Sequence, residues 1–414
     1  MTAEVLIMNR SAIAIAADSA ATVGDRVYNT ENKIFTLSKY NPVGIMIYQN
    51  SSFMGVPWAT IIKDYRSYLG EKSFSTIKEY SKDFSNYLVD TLNFSKIDKA
   101  LFFFELIISG LEKLKTYIEE VNPKDNNELS QYLASWISHA KKAKPIGNFN
   151  SDDVSKVFDQ YMSLYEDAFK AVFEDFEFDK TAKSKILSLI KLIVIRSNFS
   201  SFYTGVVIAG FGDIQLFPSC IDLKFIGILN DKLLFESGQE EKIDNSNRGF
   251  IGAYAQSDVV VLFLEGIDSA NVEPFLNVAI NNLLKDFSNK IISEIKNQHG
   301  KKKIQTLSES IIEESISKFD ESFKRFRQKY NSSKIVNTVS VLPKEDLANM
   351  AEALVNLASL KKRVSAEKET VGGLADVALI SKGDGFVWIN RKHYFSLDLN
   401  PHFVRNYYRE PNKP

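Results

Sequence analysis

Thr2, Asp18 and Lys33 are residues whose types and order could make a reaction centre. Thr2 follows Met1, and an initiator methionine ahead of so small a side chain is normally removed. Removal leaves Thr2 first in the chain, with its α-amine beside its own hydroxyl. That is a nucleophile and a base in one residue. An α-amine has a reference pKa of roughly 8, so a useful fraction can take a proton near neutrality. The chemistry this allows is acyl transfer, in which Thr2 Oγ attacks an amide carbonyl and the amine accepts the hydroxyl proton. A protonated Lys33 would lower the pKa of that amine and stabilise alkoxide character on Thr2. Asp18 would hold the ammonium by a charge-assisted hydrogen bond. Singly, each residue has a plainer reading: Asp18-Ser19 caps a turn after a strand, and Lys33 is a solvated edge residue.

The elements that must position these groups are short and apolar. Val5, Leu6, Ile7 and Met8 form one run, Asn9-Arg10-Ser11 a polar turn, and residues 12–17 a second run ending at Asp18. Two strands joined by a tight turn return Asp18 to the side of Thr2. Lys33 opens a further apolar stretch, and a neighbouring strand could deliver it to the same place.

In these residues the chain resembles proteasome β subunits and their simpler bacterial two-component protease relative, which are N-terminal-nucleophile (Ntn) hydrolases. The family pattern is a leading Thr, an Ala-Ala-Asp-Ser signature and a following Lys. Here these read Thr2, Ala16-Ala17-Asp18-Ser19 and Lys33, the last after a one-residue gap within 25–32. Thr370-Val371-Gly372-Gly373, the alternating stretch 375–381, Lys382-Gly383-Asp384-Gly385 and residues 386–389 resemble the family's Gly-Gly turn and closing hairpin. Residues 206–210, 214–218 and 226–235 resemble its central hairpin. The resemblance implies an α+β fold, the αββα Ntn-hydrolase sandwich, and a site of Thr2, Asp18, Lys33 and Ser257. Ser257 stands where the family has a Ser that contacts the N-terminal amine, here without its two flanking glycines. The stretch matching the family's glycine-rich oxyanion turn, Met46-Ile47-Tyr48-Gln49-Asn50-Ser51, carries no glycine. Glu367 or Glu369, with Thr370, would replace the acid and hydroxyl that precede the Gly-Gly turn.

Composition excludes several other classes. Basic and acidic residues number 51 and 52, so no charge excess calls for nucleic acid or an anionic membrane. The single cysteine, Cys220, rules out a disulfide framework and a cysteine-based metal site. The four histidines share no metal-ligand spacing, and Gly383-Asp384-Gly385 reads as a hairpin turn, not a phosphate loop, so no cofactor or metal is expected. No apolar run reaches about 18 residues and no signal segment stands out. The reading is a cytoplasmic chain.

The 414 residues exceed the roughly 200–240 that the family fold needs (from the resemblance), and the surplus falls in two helical blocks. The expected organisation is core in 2–72, a helical insertion in 73–201, core in 202–271, a second helical insertion in 272–342, and core with a tail in 343–414. Within the first insertion, three- and four-residue spacing of apolar side chains predicts helices over 97–121, 152–176 and 182–197, with Ser151 the N-cap of the second. Within the other, helices are expected over 272–298 and 307–330, joined by a basic loop at Lys301-Lys302-Lys303. A helix over 344–362 follows.

The function expected is threonine-type hydrolysis of peptide or other amide bonds after loss of Met1. The alternatives are a proteasome-like scaffold without catalysis that binds partners through its helical insertions, and an Ntn amidase acting on a small molecule. Peptide or amide substrate, with an unfoldase or adaptor protein, are the partners this implies. The insertions would obstruct the family's ring contacts, so a monomer or small homo-oligomer is expected instead of a ring.

Overall fold

The computed structural model describes the chain except residues 1, 2, 24, 25, 29, 30, 147, 148, 197–202, 296, 297, 365–372, 394 and 409–414. Ten strands build two five-stranded sheets: β1 (Ala3–Asn9), β2 (Ile13–Ala17), β3 (Ile34–Thr36), β4 (Val43–Tyr48), β5 (Thr204–Gly210), β6 (Ser219–Leu229), β7 (Lys232–Lys242), β8 (Gly249–Ala255), β9 (Asp376–Ser381) and β10 (Gly385–Asn390). The helices are α1 (Trp58–Leu69), α2 (Ile77–Asp90), α3 (Lys96–Val121), α4 (Asn126–Lys142), α5 (Ser151–Val172), α6 (Lys180–Ile193), α7 (Asp258–Glu265), α8 (Ser269–Glu294), α9 (Gln298–Arg327), α10 (Ser333–Val339), α11 (Lys344–Val364) and α12 (Pro401–Tyr408). The fold class is therefore α+β. The chain separates into two compact units. One holds Met1–Thr30, Ile243–Leu379 and Trp388–Pro414, and the other Glu31–Lys242 and Ile380–Val387.

In one sheet the strand order is β8-β1-β2-β9-β10. β1 is an interior strand and all seven of its residues are buried, which is why it reads as a nearly unbroken apolar run and not as an alternation. One face of the sheet (Val5, Ile7, Ala14, Ala16, Val377, Leu379) packs under Leu347, Ala351, Leu354 and Val355 of α11, with Val260 of α7 and Val339 of α10. The β1–β2 turn is closed by Asn9. Its Oδ1 accepts from the Ser11 N–H at 2.9 Å and the Ser11 hydroxyl at 2.7 Å, and its Nδ2 donates to Val339 O and Leu342 O, each at 2.9 Å. α8 and α9 pack on each other as a long hairpin. Lys301-Lys302-Lys303 lie inside α9 and not in a connecting loop, which corrects the expectation. Lysine is a good helix former, so a run of three continues the helix.

In the second unit the order is β7-β6-β5-β4-β3, antiparallel throughout. Asn230 and Asp231, both with left-handed φ (48° and 55°), make the two-residue turn between β6 and β7, as Asn and Asp tolerate best. α1 and α2 cover this sheet with an aromatic cluster of Trp58, Tyr65, Phe84 and Tyr87 around Phe225. α3–α6 form a separate core, which also takes in Ile226, Leu229 and Leu234. Asn150, not Ser151, caps α5: its side chain accepts from the Asp152 and Asp153 N–H groups at 2.9 Å each, and the Asp153 carboxylate accepts from Asn150 N–H. Residues 214–218 are a loop, with Ile214 76% exposed, and not a strand of the central hairpin. Gln215 ties that loop down instead. Its Oε1 accepts from Gly212 and Ile77 N–H groups and its Nε2 donates to Ser219 Oγ at 2.9 Å.

The attachment of α3 to its sheet turns on one close approach. A Cβ at Gly227 of β6 would stand 2.1 Å from Phe102 Cζ, and Phe102 is buried. Phe102→Ala is expected to cost about 3–5 kcal/mol, and Gly227→Ala about 1–3 kcal/mol through overpacking. In denaturant titrations the double variant should lose less than the sum, because the ring that the new methyl strikes is gone. Simple additivity would show that the two residues do not share this contact.

Candidate active site

The β1–β2 hairpin fixes Asp18. Its register pairs Glu4 with Ala17, so the next residue lies beside Ala3. Asp18 N–H donates to Ala3 O at 3.1 Å, and Ala3 N–H returns a bond to Asp18 Oδ1 at 3.1 Å. Ala20 N–H reaches Asp18 Oδ2 at 3.3 Å. The carboxylate is buried and gripped on both oxygens, one of them by the N–H of Ala3, the residue that follows Thr2 in sequence. Thr2 itself lies outside the described residues.

β8 brings in the third group. Ala255, the last residue of β8, pairs with Ala3 and has φ of 58°. Ser257 follows at the N-cap of α7, half-buried. Its side chain makes no capping bond, while its carbonyl accepts from Val261 N–H at 2.8 Å. Asp18 and Ser257 therefore flank the start of β1 from its two neighbouring strands. Asp258 does not face them alone: Lys361 of α11 pairs with its carboxylate at 2.7 Å. Lys33 belongs to the second unit. It is buried, precedes β3, and its carbonyl accepts from Ile47 N–H of β4 at 2.9 Å.

The turn after β4 contains no glycine yet takes a glycine-like shape. Gln49 has φ of 77°, a conformation that costs an L residue about 1–2 kcal/mol. Side chains hold it from both sides. Tyr48 OH donates to Asp222, 2.9 Å from Oδ1 and 3.0 Å from Oδ2, and Asn50 Nδ2 donates to Tyr203 O at 2.9 Å. Burial raises the Asp222 carboxyl above the usual range, and the Tyr48 hydroxyl bond partly offsets it. Glu367, Glu369 and Thr370, expected to replace the family's acid and hydroxyl, lie outside the described residues.

One cluster escaped sequence reasoning. Lys392 Nζ donates to Ser19 Oγ at 2.5 Å and pairs with Asp376 Oδ2 at 3.0 Å, while Lys392 N–H donates to Asp376 Oδ1 at 2.8 Å. Ser19 Oγ in turn donates to Leu374 O at 2.5 Å. Ser19 and Asp376 are buried. Ser19 is thus no second nucleophile: it is inaccessible, and its lysine carries an ion pair instead of acting as a base. The arrangement locks the residue that follows Asp18. Asp376 opens β9 and Lys392 lies just past β10, so the hairpin fold itself joins them. The acidic start of an alternating strand was the one signal in the sequence.

Among the described residues no group of His, Cys, Asp and Glu is arranged to hold a metal, and no helix is long and apolar enough to cross a membrane. No protein-family model matches the sequence, and no curated protein matches it. Among solved structures, that of a Gly-1 mutant of Anbu from Hyphomicrobium sp. strain MC1 aligns over 98% of this chain and 94% of that one. The identity is 8% and the TM-score 0.30, a likeness too slight to carry an argument.

Two measurements follow from this geometry. Lys392→Met leaves the buried Asp376 carboxylate uncompensated and should cost about 3–5 kcal/mol. Hydrogen exchange at Asp18 and Ala20 should quicken before that of α11, and Lys392→Met with Asp376→Asn should recover part of the loss. Unchanged exchange at Asp18 and Ala20 would disprove the lock. Asp222, with its pKa raised in the folded chain, keeps a proton that the unfolded chain has lost between the usual carboxylate value, about 4, and its own. Its contribution to stability therefore falls as pH rises through that window. Asp222→Asn should flatten this fall in denaturant titrations run at a series of pH values.

Proposed function

We propose that this chain is an N-terminal-nucleophile hydrolase that cleaves peptide or other amide bonds with Thr2 once Met1 is removed. The observation that carries the reading is the Asp18 carboxylate, buried and bound to the N–H of Ala3, the residue joined to Thr2. A buried carboxylate is costly unless it is hydrogen-bonded, and Asp18 is bonded on both oxygens beside the start of β1. In the finer reading, the fold is the αββα sandwich of Ntn hydrolases. Residues 73–201 and 272–342 are insertions into it, and the particle is a monomer or small homo-oligomer.

In this mechanism Thr2 Oγ attacks the amide carbonyl as its proton passes to the Thr2 amine. The proton is then given to the departing amine of the substrate, leaving an acyl ester on Thr2. Water, activated by the same amine, attacks the ester, releases the acid and restores the hydroxyl. Lys33 supplies positive charge that favours the alkoxide and the unprotonated amine. Asp18 orients that ammonium, and Ser257 contacts the Thr2 amine. Backbone N–H groups of the Gln49 turn receive the developing oxyanion. That turn also favours a second reading, a proteasome-like scaffold without catalysis, because it lacks glycine and holds Gln49 at a left-handed φ.

Intact mass of the purified chain should show Met1 absent. An electrophile that captures both a hydroxyl and an adjacent amine should label the chain once, at Thr2. Thr2→Ala should abolish labelling and hydrolysis, and Thr2→Ser should keep part of both. Lys33→Ala should be nearly as damaging as Thr2→Ala, because such residues act as one unit. Met1 fully retained, or Thr2→Ala labelling like the parent, would sink the enzyme reading and leave the scaffold.

A further inference from the structure

The α8–α9 hairpin gathers its exposed apolar residues on one side. On α8, Leu283, Phe287 and Ile291 recur every four residues, each one position ahead of a less exposed residue (Leu284, Ser288 and Ile292). On α9, Leu307 and Ile311 stand one position ahead of the less exposed Ser308 and the buried Ile312, and Ile304 lies one turn before Leu307. The less exposed residues mark the stripe along which the two helices meet. Arg327, at the end of α9, pairs with Glu273, near the start of α8, so the helices run antiparallel. Two antiparallel helices that face each other are related by a local two-fold axis. An equal offset from the facing stripe therefore puts both exposed sets on the same side of the hairpin. These six residues are 36–68% exposed.

We propose that this side of the hairpin is a dimerisation surface, on which the same hairpin of a second copy of this chain lies and closes a four-helix bundle. The area is sufficient. A fully exposed aromatic side chain offers roughly 150–250 Å², and Leu or Ile somewhat less, so the six residues present about 600 Å² per copy. Two copies would bury about 1,200 Å² of apolar surface before any polar rim is added, which reaches the size of a standard protein interface. The shape fits as well. Half of a four-helix bundle is a pair of antiparallel helices with one bare apolar side, and α8 with α9 is such a pair. The charges on the outer edge of α9 are closed into pairs within the helix, Glu314 with Lys318 at 2.6 Å and Glu321 with Arg325 at 2.8 Å. That edge offers no single sign to an anionic membrane or a strongly charged partner, and it does not repel a copy of itself. This inference concerns the hairpin alone and stands whether or not Thr2 is a nucleophile.

Sedimentation equilibrium of the full chain across a micromolar concentration series is expected to show a species of twice the 46.9 kDa chain mass. Leu283→Glu with Phe287→Glu sets two charges on the apolar side and should raise the dimer dissociation constant at least tenfold. Circular dichroism should stay unchanged, because both positions are exposed. Leu307→Glu on α9 should act in the same way, which keeps the proposal testable if the first variant fails to fold. Glu313→Gln, one position past Ile312 and so on the opposite side of the hairpin, should associate like the parent. A chain that keeps its single mass at every concentration, whether or not it binds anionic vesicles, would overturn the proposal. So would folded Leu283→Glu/Phe287→Glu or Leu307→Glu chains that associate as tightly as the parent, or Glu313→Gln weakening association as much as they do.

Discussion

The hydrogen-bonded exchange between Asp18 and Ala3 is the constraint on which the candidate site depends. It exists only because β1 and β2 pair in one register, Glu4 with Ala17. Side chains alternate along a strand, so a slip by one residue would turn every inward residue of β2 outward and carry Asp18 off the start of β1. Two things prevent the slip. Every residue of β1 and β2 is buried, so no face can accept the wrong set. Asn9 also spends its whole side chain on the turn and on the carbonyls of Val339 and Leu342, pinning the far end of the hairpin to the α10–α11 connection. The position of one carboxylate thus rests on an amide at the opposite end of the hairpin.

What could be read from the sequence divides along the same line. The hairpin was legible because its signals are local: two apolar runs, a polar turn, and an acid at the fixed offset that the turn dictates. α3 and α11 were legible for the same reason, since apolar periodicity is a property of neighbours in sequence. The Ser19–Asp376–Lys392 cluster was not, because hundreds of residues separate Ser19 from its partners and nothing in a lone Lys after a strand records them. The cap of α5 was missed by one residue. Asn150 and Ser151 are both good caps, and the reciprocal bonds decide between them: Asn150 Oδ1 accepts from Asp152 and Asp153 N–H, and Asn150 N–H donates to the Asp153 carboxylate. Residues 214–218, grouped with the central hairpin by resemblance, form a loop, because hydrogen bonds between Gln215 and three separate partners tie it down.

The two helical blocks answer differently to the burden that added chain imposes. Helices without tertiary packing are marginal in water. α3–α6 meet this with a core of their own, dense in rings: Phe103 packs edge-on to Phe158, and Phe169, Phe173, Phe176 and Phe178 form a continuous group. α8 and α9 make only a two-helix hairpin, and two helices cannot enclose an apolar stripe. Phe275, Leu283 and Phe287 are accordingly more than 60% exposed. What anchors the hairpin is polar: Arg327 pairs with Glu265 and Glu273, and Asn331 Nδ2 donates to Glu265 O at 2.6 Å. One block is held by area and the other by a few directional bonds at its base.

The same distinction bears on Asp18. Both of its oxygens accept from backbone N–H groups, Ala3 on Oδ1 and Ala20 on Oδ2. An asparagine could satisfy only one of them, because its NH₂ would face an N–H. The residue must therefore be an acid for structural reasons before any question of charge at a reaction centre arises. The Lys392–Asp376 pair reinforces this by holding Ser19, so the backbone on both sides of the carboxylate is fixed. Had Asp18 been a plain turn cap, one such bond would have sufficed and a serine could have made it. Two amides, a buried ion pair and a register pinned from the far end are far more than a turn requires. They fix one carboxylate rigidly beside the start of β1.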